Sequence, residues 1–172
     1  GHGGAWDMAL ISAGEKIPAS IFVRTPANRF IARWITNQRK RSGLELLDTN
    51  NSALLAYRAL KKGRLLVFVQ DQRHNNGVST TFFGRPALTS RGFGVMAAHT
   101  GAPLFGTWQW RDPDGSHHVE IERISIDLPE DTDLDDAVLA LTQASQSFYE
   151  NKIRQRPHSW LWLHNRWRQL NP

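Results

Sequence analysis

Two periodicities alternate between Lys16 and Gln72, and that alternation restricts the fold more than any other feature of the chain. "KIPASIFVR" (16–24) is a β-branched apolar run of strand type. Pro26 just beyond it is placed to open a helix, since the N–H it lacks would have no partner in a first helical turn. "ANRFIARWITNQRKRSG" then repeats at helical spacing. Phe30, Ile31, Trp34 and Ile35 fall on an apolar stripe, Arg29, Arg33, Arg39, Lys40 and Arg41 make the remainder basic, and Gly43 stops the helix. "LELLD" reads as a short strand and "TNNSALLAYRALKKG" as a second amphipathic helix. "RLLVFVQDQ" is a continuous apolar run, as expected of a strand inside a sheet covered on both faces.

Beyond residue 72 the pattern changes. A polar loop, "RHNNG", leads into "VSTTFFGRPALTS", and "RGFGVMAAHTG" is a short helix ending at Gly101. "APLFGTWQWR" and "SHHVEIERISID" are two strands around "DPDG", a strong hairpin turn. Asp131 to Arg156 is a long helix, begun by acids and finished by bases in agreement with its dipole. No repeats, linkers or low-complexity tracts interrupt the 172 residues. The expected fold is one α/β domain, a mostly parallel sheet flanked by helices with an antiparallel hairpin near one edge.

Composition narrows the classes of function. With no cysteine there is neither a disulfide nor a thiolate metal site, and a reducing compartment is compatible. No apolar run approaches the ~18–20 residues of a membrane-spanning helix. Twenty-one Lys and Arg against sixteen Asp and Glu, a formal +5, favour an anionic partner: nucleic acid, acidic lipid or a phosphorylated substrate. Several of the seven tryptophans stand near arginines, which suits a membrane interface or stacking on bases. The basic helix 29–41 is either a surface for such a partner or a solvated face.

"GHGGAWD" places His2 among glycines with Asp7 five residues on. Residues at that spacing are ~500° apart within a helix, so they meet only if His2 lies on a turn before the helix and Asp7 in its first turn. A carboxylate near Nδ1–H would fix the imidazole tautomer and leave Nε2 to take a proton from a hydroxyl. The plainer alternative is a disordered terminal His and a helix-starting acid. Asp71 and Gln72 end the apolar run, at the strand edge where open α/β sheets form their sites. Arg24 would end its strand at that same edge, where an ion pair with Asp71 is structural or orders a site. Arg73 and Arg85 are candidates to hold phosphate or carboxylate, and Phe82, Phe83 and Pro86 to wall an apolar groove. Asp71 as a turn-capping residue is the competing reading. His74 with Asp71 is too sparse for a metal site. No serine has the GxSxG context of a hydrolase, and no GxxxxGK[ST] or GxGxxG nucleotide loop occurs.

Several of these stretches match one pattern in order. "GHGGAWD" resembles the HX4D/E acyltransferase signature. "VRTPAN" with "RKRSG", "DQ…GVSTTFFGRPALTSRGFGVMAAHTGAPLF" and "SWLWLHNRW" resemble successive blocks of the bacterial lauroyl/myristoyl acyltransferases of late lipid A biosynthesis, from residue 1 to about residue 168. The resemblance implies a glycerolipid-acyltransferase-like α/β fold. It also implies transfer of a fatty acyl chain from an acyl thioester, on acyl-carrier protein or coenzyme A, to a hydroxyl of a glycolipid such as a lipid A precursor. No cofactor or metal is implied. Carried over by position, His2 is the general base, Asp7 its orienting partner, and Arg24, Asp71, Gln72, Gly84 and Arg85 are substrate-binding. Thr81 stands where the family often has proline, and "HNN" fills the loop after "DQR".

The resemblance further implies acyl-carrier protein, an anionic glycolipid or phospholipid and the membrane surface as partners. The place would be the cytoplasmic face of the bacterial inner membrane. Family members carry a hydrophobic anchor before the HX4D motif, so residues 1–172 are expected to be the catalytic domain without it. The rival within enzymes is a glycerolipid (lysophospholipid) acyltransferase, disfavoured because its "FPEGTR"-like block is absent. A non-catalytic lipid- or nucleic-acid-binding basic module is the rival of another class, and no nucleic-acid-binding motif supports it. Trp160 is expected in the core and Trp167 at an interface.

Overall fold

The computed structural model describes residues 1–4, 15–22, 27–47 and 52–168. Its α/β class, with a parallel sheet and antiparallel hairpins, is the one expected. The chain forms two compact units, one of Gly1–Trp6 with Val69–Pro172 and the other of Asp7–Phe68.

In the Asp7–Phe68 unit, β1 (Ala19–Phe22), α1 (Arg29–Arg41), β2 (Glu45–Leu47), α2 (Ser52–Lys61) and β3 (Leu65–Val67) alternate. The three strands pair in parallel in the order β2–β1–β3, as strands returning through helices do. Asn28 caps α1 by accepting the N–H groups of Phe30 and Ile31 at 2.9 and 3.2 Å. Arg64 ties the sheet together, donating to Ser20 Oγ at 2.9 Å and the Ala19 carbonyl at 2.7 Å and pairing with Glu45 at 3.1 Å.

Two expectations change here. The run "RLLVFVQDQ" is not a covered central strand. Only Leu65–Val67 pairs, at the sheet edge, with Leu65 47% exposed. The chain then leaves the sheet, and the Gln70 carbonyl is satisfied by the Gln146 side chain at 3.0 Å instead of by a strand. The apolar stripe of α1 faces outward: Phe30, Ile31 and Trp34 are exposed, and Ala32 is the buried residue of the helix.

The other unit is built on two antiparallel hairpins and two helices. β4 (Val78–Phe82) pairs with β5 (Arg85–Thr89), α3 (Gly92–Thr100) follows, β6 (Leu104–Arg111) pairs with β7 (His117–Ile124), and α4 (Leu134–Gln155) leads to a 3-10 turn at Pro157–Ser159. The β6–β7 hairpin turns at "DPDG" as read. The turn of β4–β5 is Phe83–Gly84, both at positive φ (52° and 72°), the backbone that matches strand twist in a two-residue hairpin. α4 buries Val138, Leu141, Thr142, Ser145, Gln146, Tyr149, Lys152 and Ile153, a three-and-four spacing along one face. Its Asp133 cap accepts the Asp135 N–H. The core holds Phe82, Ala87, Trp108, Phe148, Tyr149, Ile153 and Trp160.

Candidate active site

His2 is fixed by the backbone on either side of it. Gly3 pairs with Trp160 as an antiparallel bridge, the Gly4 N–H donates to the Ser159 carbonyl at 2.7 Å, and Gln109 Nε2 donates to the Gly1 carbonyl at 2.9 Å. The glycines are a packing requirement. A Cβ on Gly3 would stand 2.8 Å from the Trp108 ring, and Gly4, at φ +50°, would bring one to 3.0 Å from the Gln109 carbonyl. A disordered terminal histidine is therefore not what this chain has. The Gly4 N–H is also committed, so it does not serve as an oxyanion donor.

Asp71 is a partner of the imidazole. His2 Nδ1 lies 2.9 Å from Asp71 Oδ1, and the His2 backbone N–H donates to Oδ2 at 2.6 Å. Trp160 Nε1 donates to the same Oδ2 at 2.9 Å. Asp71 is 1% exposed. Burial works to raise its pKa. The hydrogen bonds and charge of His2 are among the contributions that outweigh burial and hold the carboxyl below its ordinary value. An ionised carboxylate accepts, so Nδ1 carries the proton and Nε2 is the basic nitrogen of the ring. Tyr149, packed against Gly1, is held as the phenol by burial and by the Asp71 charge.

The closing segment is pinned around this pair. His164 Nε2 accepts the Arg73 N–H at 2.9 Å, and burial followed by the Arg166 charge lowers its pKa. Arg166 is fully buried. It donates to the Leu88 carbonyl at 2.7 Å, Thr89 Oγ1 at 2.5 Å and Gln146 Oε1 at 3.0 Å, and burial pushes its pKa down to about 10. Trp160 lies in the core as expected, edge-on to Phe82 at 5.7 Å. Trp167 is half-buried, stacked on Phe82 with its N–H on the Phe82 carbonyl at 2.9 Å, so part of it packs inward.

Of the residues read from sequence, the structure brings together His2 and Asp71. Gln72 follows Asp71 and is half-buried. Gly84 is in the β4–β5 turn, and Arg85 places its guanidinium 5.5 Å over the Trp167 ring. Their link to the pair runs through Phe82 and Trp160. Asp7 and Arg24 lie outside the described residues. Gln109, Tyr149 and the Trp160 N–H escaped sequence reading, because nothing in their local spacing marks a polar group aimed at residue 1 or 71. Among the described residues no three His, Asp or Glu converge as a metal site needs, and no helix is long and apolar enough to cross a membrane.

Residues 1–169 match the family described as bacterial lipid A biosynthesis acyltransferase. A curated relative, the phosphatidylinositol mannoside acyltransferase of Mycolicibacterium smegmatis, is 26% identical over 175 residues, covering 96% of this chain and 54% of that protein. The chain thus spans about half the length of the relative it matches. With a match that runs nearly end to end, the chain belongs to the bacterial lipid A biosynthesis acyltransferase family.

Proposed function

We propose that the protein transfers a fatty acyl chain from an acyl thioester, on acyl-carrier protein or coenzyme A, to a hydroxyl of an anionic glycolipid. The observation that carries this reading is the contact of His2 Nδ1 with the buried Asp71 carboxylate. Nε2 takes the proton of the acceptor hydroxyl as its oxygen attacks the thioester carbonyl. The tetrahedral adduct collapses with the thiolate leaving, and the imidazolium returns the proton to sulfur. Asp71 holds the ring in the Nδ1–H tautomer and stabilises the imidazolium, so it acts as the positioning residue for His2. Asp7, the acid of the HX4D pattern, remains a proposed catalytic residue on the strength of that pattern alone. Arg24, Gln72, Gly84 and Arg85 are proposed to contact substrate.

The family description names lipid A and the mycobacterial relative a phosphatidylinositol mannoside. Both acceptors are sugar hydroxyls on anionic lipids, and that shared chemistry is the substrate class proposed. Residues 1–172 act as the catalytic domain, at the cytoplasmic face of the inner membrane, with acyl-carrier protein and the lipid surface as partners. The test is acyl transfer to a panel of lipid A precursors, phosphatidylinositol mannosides and lysophospholipids, beside the His2→Ala variant. Acylated glycolipid that falls at least about a hundredfold in His2→Ala is expected. Acylation of lysophospholipid alone would replace the glycolipid reading with the glycerolipid one.

A further inference from the structure

Helix α1 wears its apolar side outward. Phe30, Ile31 and Trp34 are 70%, 51% and 64% exposed, while Ala32 is buried. At about 100° per residue, Phe30 and Trp34 each lie roughly 160° around the helix from Ala32, so the apolar stripe and the packed side are nearly opposite. A helix on a water-facing surface has the reverse arrangement. Arg29, Arg33 and Lys40 are exposed beside the stripe, with the Arg29 guanidinium 4.9 Å over the Phe30 ring.

Charge is divided in the same sense. Asp7–Phe68 carries eleven Lys and Arg against four Asp and Glu, a formal +7, while the remaining residues carry ten against twelve, a formal −2. All the net positive charge therefore belongs to the unit that displays the apolar stripe. An acidic protein partner would need the cations; exposed Trp, Phe and Ile beside arginines fit a membrane interface better. Thirteen residues of helix are about 20 Å long, too short to span a ~30 Å hydrocarbon core.

We propose that α1 is a membrane-docking helix that lies in the plane of an anionic phospholipid surface, with Phe30, Ile31 and Trp34 at the acyl boundary and Arg29, Arg33 and Lys40 at the headgroups. This stands apart from acyl transfer and is tested with neither donor nor acceptor present. The protein is sedimented with phosphatidylcholine vesicles, with and without about one-third phosphatidylglycerol, at low and high salt. Wild type is expected to bind the anionic vesicles and to weaken as salt rises. Binding is expected to fall at least about tenfold in Phe30→Gln/Trp34→Gln and in Arg33→Glu/Lys40→Glu. Brominated lipid is expected to quench wild-type fluorescence more than that of Trp34→Phe. Variants that keep the wild-type circular dichroism and bind as wild type does would overturn the proposal. So would equal quenching of wild type and Trp34→Phe, a readout that stands even if the double variants misfold. Loss of acyl-carrier protein binding in the double variants with vesicle binding intact would make the face a protein-docking surface and overturn it too.

Discussion

A carboxylate buried to 1% exposure either directs its lone pairs at donors or stays protonated. Asp71 meets the first condition with the two N–H groups of His2 and the indole of Trp160. Its folded-state pKa is below the ordinary value, so its charge stabilises the fold at pH above the ordinary carboxylate range. That contribution is lost as pH falls through the range, below about pH 4, and on toward the depressed value. Asp71→Asn is accordingly expected to cost about 2 kcal/mol or more at neutral pH, because the acceptor that remains is weaker and its amide meets the donors of His2 and Trp160. In denaturant titrations the difference from wild type should narrow on acidification. A gap that widens instead would contradict the assignment of charge.

Gly3 gives a second residue-scale prediction. A methyl at 2.8 Å from the core-held Trp108 ring forces the backbone to move, so Gly3→Ala should cost about 1–3 kcal/mol and pull His2 off Asp71. Thermal melting and acyl transfer check the two parts separately. At this scale the sequence was half legible. The glycines marked a turn at His2, and Asp71 was marked by its place after an apolar run. Their contact joins residues 69 apart and depends on how β6, α4 and the closing segment pack, which no local pattern encodes.

Among the elements, the long helix α4 was legible from the acids at its start and the bases at its end. The β4–β5 hairpin was not, since its turn uses Phe83 at positive φ where Asn-Gly or Asp-Gly would have signalled it. Thr81 faces Pro86 in the pair next to the turn, where backbone groups point away from the partner strand. Gln143 of α4 satisfies both, accepting the Thr81 N–H at 2.8 Å and donating to its carbonyl at 3.0 Å. Gln143→Ala is expected to lower stability by about 1 kcal/mol, measurable as a shift in denaturant midpoint without change of slope. Arg166 binds the closing segment to β5 and α4 with three hydrogen bonds, two of them buried, so Arg166→Ala should cost about 3 kcal/mol or more. Helix α1 shows the limit of pattern reading: its span and stripe were readable, and the direction of the stripe was not, because periodicity is the same for a core face and a membrane face.

For the whole molecule, alternation of strand and helix was enough to give the α/β class. The boundary between the two units was hidden, since it falls inside the apolar run "LLVFVQDQ" with no proline, glycine or polar break to mark it. The division of charge between the units was likewise invisible in a net value of +5. The ordered motifs pointed to the family that the whole-chain match supports, and the His2–Asp71 contact is the chemical centre proposed for it. The most direct test is the single-turnover rate of acyl transfer from an acyl-carrier protein thioester in wild type, His2→Ala and Asp71→Asn. Both variants are expected to lose at least about a hundredfold in rate. Wild-type rates in a folded His2→Ala protein would contradict the account.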